Sequence, residues 1–281
     1  MIAPVVDADT LAALANEREV VIADVRWYLD GRDGRAAYEA AHLPGAVWVD
    51  LEAALSRSDL PATEGRHPFP TPEVFAAAMG ALGIGDDTVV VAYDDSGGIT
   101  AGRLVVMLRM LGRDAGLLNG GLGAWVADGR PVAQGPARVP APAHFTAAEW
   151  PAERFATADE TVAHAAAGAP VLDARPRERF TGEVVAVDPR AGHIPGARSA
   201  PWTAVLGADS RLLPTADLLA HYDRLGAGAP GAAPIAYCGS GVSACMNLLA
   251  MEHAGLTPPR LYVASFSGWS ADPGRPVELG G

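Results

Sequence analysis

Cys238 and Cys245 are the only cysteines in 281 residues, and Cys238 is the one placed where a thiol can react. It opens the run Cys238-Gly239-Ser240-Gly241-Val242-Ser243-Ala244, after an apolar stretch from Pro234 to Tyr237. A helical pattern follows from about Val242 to Ala254, with Gly255 as its stop. Glycines directly after the cysteine let the backbone wrap tightly and aim successive N–H groups at one point. The start of the helix adds positive potential there. A thiol in such a loop is expected to be partly ionised near neutral pH and therefore nucleophilic. Cys245, among Ala244, Met246 and Leu248, reads as a core residue of the helix. Seven residues apart on a helix, the two Cα atoms would lie about 10 Å from one another along the axis, too far for a disulfide. Nor is the spacing that of a zinc site, so neither a metal nor a cofactor is implied.

The elements that would position this loop occur twice. Val21-Ile22-Ala23-Asp24-Val25-Arg26 is matched by Pro170-Val171-Leu172-Asp173-Ala174-Arg175, and His42-Leu43-Pro44-Gly45-Ala46 by His193-Ile194-Pro195-Gly196-Ala197. Ala92-Tyr93-Asp94-Asp95-Ser96-Gly97-Gly98 is matched by Ala236-Tyr237-Cys238-Gly239-Ser240-Gly241-Val242, and the Trp125 region by the Trp269 region. The matches are collinear, so the chain reads as two copies of one domain. Domain boundaries of 1–132 and 155–281 follow, joined by a proline-rich linker over 133–154. Buried strands are expected at Val20 to Asp24, Thr88 to Tyr93, Pro170 to Asp173, Pro234 to Tyr237 and Leu261 to Ala264. Capped helices are expected from Thr71 to Gly83, Thr157 to Gly168 and Thr215 to Gly226. Strand alternating with helix predicts an α/β fold, each copy a mostly parallel sheet with helices on both faces. Asp94 stands in the first copy where Cys238 stands in the second, so chemistry belongs to the second copy. His42 and His193 recur in both, which argues for structural roles.

Composition narrows the function further. Lys plus Arg total 21 against 33 Asp plus Glu, a net charge of −12. Such a chain is a poor partner for nucleic acid or for an anionic membrane. No apolar run reaches the length of a membrane span, and the N-terminus carries no secretory pattern, so the cytoplasm is the expected location. Cysteine phosphatases place an arginine six residues after their nucleophile; here that position is Ala244, without the guanidinium that phosphate requires.

Together the tandem copies, D-x-R after the first strand of each, H-[LI]-P-G-A and CGSGVSA resemble the two-domain rhodanese family of sulfurtransferases. Within that family the cysteine loop resembles that of the 3-mercaptopyruvate sulfurtransferases, since Gly239 and Ser240 carry no charge where thiosulfate-preferring members place cations. The resemblance implies that Cys238 takes sulfur from 3-mercaptopyruvate as a persulfide, releases pyruvate and passes the sulfur on. The acceptor would be cyanide or a thiol, such as a thioredoxin-like protein. Thiosulfate as donor, and a non-catalytic persulfide carrier, are the alternative readings. The resemblance further assigns carboxylate binding to Arg179, in Arg179-Phe180-Thr181-Gly182, and to Arg190, in Asp188-Pro189-Arg190. It assigns the loop contacts to Gly239, Gly241, Val242 and Ser243. A proton relay would comprise Ser240, His67 and Glu52, the last two from the first copy.

Overall fold

Short apolar runs bounded by polar or glycine residues become the buried centre of two sheets. The computed structural model describes residues 1–136 and 140–281; residues 137–139 of the expected linker lie outside the described residues. Packing divides the chain into two units. The first holds residues 1–56, 70–150 and 207–212, and the second holds 57–69, 151–206 and 213–281.

In the first unit, β1 (Val5–Val6), β2 (Val20–Asp24), β3 (Val47–Trp48), β4 (Val89–Tyr93) and β5 (Ala115–Leu118) form one sheet in the order β1-β5-β4-β2-β3. In the second, β6 (Val171–Asp173), β7 (Arg198–Ser199), β8 (Ile235–Tyr237) and β9 (Arg260–Leu261) follow the order β7-β6-β8-β9. Every strand pair in both sheets is parallel. A bridge between Phe155 and Leu261 stands where β1 pairs with β5 in the first unit. The expected strand at Leu261 to Ala264 is shorter, because the chain turns through Tyr262–Ala264 into the helix Ser265–Ala271.

The repeats share their anchors as well as their order. The Asp24 carboxylate accepts from Nε and Nη2 of Arg26, and Asp173 does the same with Arg175. Tyr93 Oη accepts the Leu43 amide and Tyr237 Oη the Ile194 amide. His42 stacks on Tyr38 and bonds to its carbonyl; His193 stacks on Phe180 and bonds to the Phe180 carbonyl. These buried anchors fix the last residue of the central strand in each unit, and the loop that carries the chemistry starts one residue later.

The proline-rich stretch is irregular; its described residues up to Trp150 pack within the first unit, and those from Pro151 on within the second. The Ala143 amide donates to Gly80 O at 2.9 Å, Thr146 Oγ1 to Asp86 at 2.6 Å, and Phe145 is buried edge-on against Phe75. Residues 57–69, although they come from the first repeat, pack within the second unit. Gly65 sits at φ +85° with the place of its absent Cβ 2.5 Å from Ala264 O, and Gly268 has its own 2.5 Å from Thr63 O. Any side chain at either position would force backbones apart.

Candidate active site

The first unit shows what this loop is built to hold. Asp94 follows β4, and its buried carboxylate accepts the amides of Ser96 and Gly98, each at 2.8 Å, on Oδ1. Its Oδ2 accepts the Thr100 amide and hydroxyl at 2.9 Å and the Ala101 amide at 3.0 Å. Gly97 and Gly98, at φ +77° and +88°, allow the turn. Five donors around one carboxylate make an anion cradle that the chain fills from within.

The second unit has a cysteine at the same place in the same loop. Cys238 follows β8, is 1% exposed, and its carbonyl accepts from Phe266 N at 2.9 Å, as Asp94 O accepts from Leu122 N. Gly241 takes φ +74°, like Gly97. Ser240 and Val242 occupy the places of Ser96 and Gly98. Among the described residues their amides, and those of Gly239 and Ser243, meet no protein acceptor. Cys245, fully buried in the helix Ala244–His253, directs its Sγ to Gly241 O at 3.4 Å and packs as a core residue.

Two guanidiniums lie over the loop. A Cβ at Gly239 would be 2.9 Å from Nη2 of Arg66 and 3.1 Å from Nη2 of Arg179, so both cations stand against the residue next to the sulfur. Arg179 projects from the short helix Arg177–Thr181, which the buried Phe180 anchors. Arg66 comes from the 57–69 segment, its amide bonded to Ser267 Oγ. One carboxylate holds the pair: Asp188 accepts from Arg66 Nη1 at 2.7 Å and Arg179 Nη2 at 2.5 Å, with Arg175 Nη1 3.5 Å away. Burial alone would raise the Asp188 carboxyl, but the hydrogen bonds and charges of Arg66 and Arg179 outweigh it and hold it below the usual range. Two cations against one anion leave the cluster positive, where an anionic group can bind.

His67 and Ser240 are also brought together, sharing a hydrogen bond of 2.8 Å between Nδ1 and Oγ, and both are buried. Arg190 and Glu52 have other partners within their own units. Arg190 does not stand beside Arg179: its guanidinium donates to the carbonyls of Trp269, Ser270, Asp272 and Arg275, closing the C-terminal end of the helix Ser265–Ala271. Glu52 belongs to the first unit, where its carboxylate accepts the Trp27 indole N–H at 3.2 Å. Arg66 was absent from the expected set. Its only signal in the sequence is its place beside His67, and its partner Asp188 is 122 residues away.

The rhodanese-like domain family matches this chain twice, over residues 7–128 and 157–272. The chain belongs to the rhodanese family. A Pseudomonas aeruginosa protein named "Probable 3-mercaptopyruvate sulfurtransferase" is 41% identical over 284 residues, covering 99% of each chain. A mitochondrial thiosulfate/3-mercaptopyruvate sulfurtransferase of Arabidopsis thaliana is 32% identical over 98% of this chain and 78% of its own. The crystal structure of the Escherichia coli 3-mercaptopyruvate sulfurtransferase SseA superposes with a TM-score of 0.80 at 33% identity, covering 94% of this chain and 99% of that one. As a rhodanese-family enzyme this chain is a sulfurtransferase, with the tandem parallel sheets expected of it. Among the described residues, no helix is long and apolar enough to cross a membrane.

Proposed function

We propose that this rhodanese-family enzyme takes sulfur from 3-mercaptopyruvate through a Cys238 persulfide and hands it to a thiol or to cyanide. The observation that carries the reading is the convergence of Arg66 and Arg179 on Gly239, one residue from the nucleophile. Their paired guanidiniums suit a substrate carboxylate, and they displace Arg190 from that role. The Cys238 thiolate attacks the donor sulfur; the S–S bond forms as the C–S bond breaks, and its electron pair leaves on carbon as the enolate of pyruvate. Ser240 and His67 return a proton to that carbon, drawing it from the new S–H, so the persulfide is left anionic in the loop. The amides of Ser240 and Val242, with Gly241 making the turn, stabilise it as those of Ser96 and Gly98 stabilise Asp94, and the amides of Gly239 and Ser243 add to them. An acceptor thiolate then attacks the outer sulfur, and Cys238 departs as thiolate. We place the reaction in the cytoplasm, since both cysteines are free and a reducing compartment keeps them so.

Thiosulfate is the competing donor, and side-by-side steady-state kinetics decide between the two. The expected result is a kcat/KM for 3-mercaptopyruvate at least about tenfold above that for thiosulfate, lowered about a hundredfold in Arg66→Ala and Arg179→Ala. A tenfold preference for thiosulfate, or arginine variants with unchanged kinetics toward the carboxylate donor, overturns the assignment.

A further inference from the structure

We propose that Ser265 is a positioning residue for the Cys238 nucleophile. Ser265 is fully buried and takes φ +53°, a left-handed conformation costly for any residue with a Cβ. The corresponding position of the first unit is Gly121, at φ +55°, where the strain is absent. The fold therefore accepts glycine here, and the copy with the nucleophile carries serine instead. Its hydroxyl has a definite occupation: Oγ donates to Tyr262 O at 2.9 Å and accepts the Cys238 amide at 3.1 Å. With its donor proton committed to Tyr262, the lone pair is aimed at the amide of the reacting residue. The next residue, Phe266, donates its amide to Cys238 O, so Cys238 is gripped on both sides of its Cα by adjacent residues of one turn. That grip fixes the Cα–Cβ direction, and hence the direction in which the sulfur points. It also withdraws the amide of Cys238 itself from the cradle, leaving the anion to the amides further along the loop.

This role rests on the persulfide chemistry proposed above, but it can be tested without a donor. Ser265→Gly removes hydroxyl and strain together, whereas Ser265→Ala removes the hydroxyl and keeps the strain. The pH profile of Cys238 alkylation by iodoacetamide, read by peptide mass, is compared with melting temperature in both variants. A positioning role predicts that the midpoint moves up by about half a pH unit or more in both variants alike, although Ser265→Ala melts lower than Ser265→Gly. With 3-mercaptopyruvate, kcat should fall about tenfold while KM changes less than about threefold, because the arginines that hold the carboxylate are untouched. If Ser265→Gly keeps the wild-type alkylation profile, the serine is only a packing residue and the proposal is wrong. If the wild type takes no sulfur from 3-mercaptopyruvate, the donor assignment fails while the alkylation profile still decides the case of Ser265.

Discussion

Asp188 and the arginines around it show how a few polar contacts divide labour inside one cluster. Arg179 and Arg190 flank the same loop, yet one guanidinium faces Gly239 and the other faces four carbonyls at and just beyond the end of a helix. Replacing each with alanine should therefore have opposite signatures. Arg179→Ala is expected to lower kcat/KM for an anionic donor with little change in melting temperature. Arg190→Ala is expected to cost about 2 kcal/mol of stability, measured by urea unfolding, because several part-buried carbonyls lose a charged donor. The depressed Asp188 pKa sets the sign of the acid response. Its contribution is complete above the ordinary carboxylate value of 3.8 and is lost as pH falls through the lower folded value. KM for an anionic donor should accordingly stay flat from pH 8 to about 5, and a rise already at pH 6 would contradict the ionised Asp188 anchor. Cys238 drew attention in the sequence through its glycine-rich loop, and Ser240, His67 and Arg179 through the motifs that carry the family resemblance. Arg66 and Ser265 drew none, because their meaning lies in contacts across 122 and 27 residues.

At the scale of elements, the decisive contact is backbone against backbone. The helix Ser265–Ala271 presents Gly268 to the turn Ala62–Glu64, and Gly65 comes within reach of Ala264 O from the other side. Ser267 closes the contact, its amide donating to Gly239 O and its hydroxyl accepting the Arg66 amide. The segment with Arg66 and His67 is thus seated directly on the cysteine loop. A methyl group at Gly268 would stand 2.5 Å from Thr63 O and 3.0 Å from Gly65 N. Gly268→Ala is therefore expected to lower kcat/KM about tenfold, beyond what its fall in melting temperature explains, since a small displacement of catalytic groups is costly. Full activity in that variant would show that the interlock does not position the pair. Longer strands such as β2 and β4 were readable as apolar runs, whereas Val5–Val6, Val47–Trp48 and Arg198–Ser199 are two residues each, too short to leave a period. The strand expected at Leu261 to Ala264 was over-extended because apolar Tyr262 and Val263 belong to the turn before the helix.

For the molecule as a whole, duplication explains the architecture of two like sheets. The tandem reading was legible because four motifs recur in order, but the packing boundary was not. Residues 57–69 join the second unit through glycine contacts that carry no composition signal, and residues 140–150 bond to the first unit. A net charge of −12 repels an anionic donor at long range, so the proposed function assigns recognition to the local excess of Arg66 and Arg179 over Asp188. One copy fills its cradle with a carboxylate, and the other leaves it to a thiol. Intact mass after incubation with 3-mercaptopyruvate tests that division most directly. Wild type and Asp94→Asn should each gain one sulfur atom, about 32 Da, and Cys238→Ala should gain none. Asp94→Asn should at the same time lose about 2 kcal/mol of stability, as a buried anion's donors lose their partner. A mass gain that survives in Cys238→Ala, or no gain in the wild type, would contradict the account.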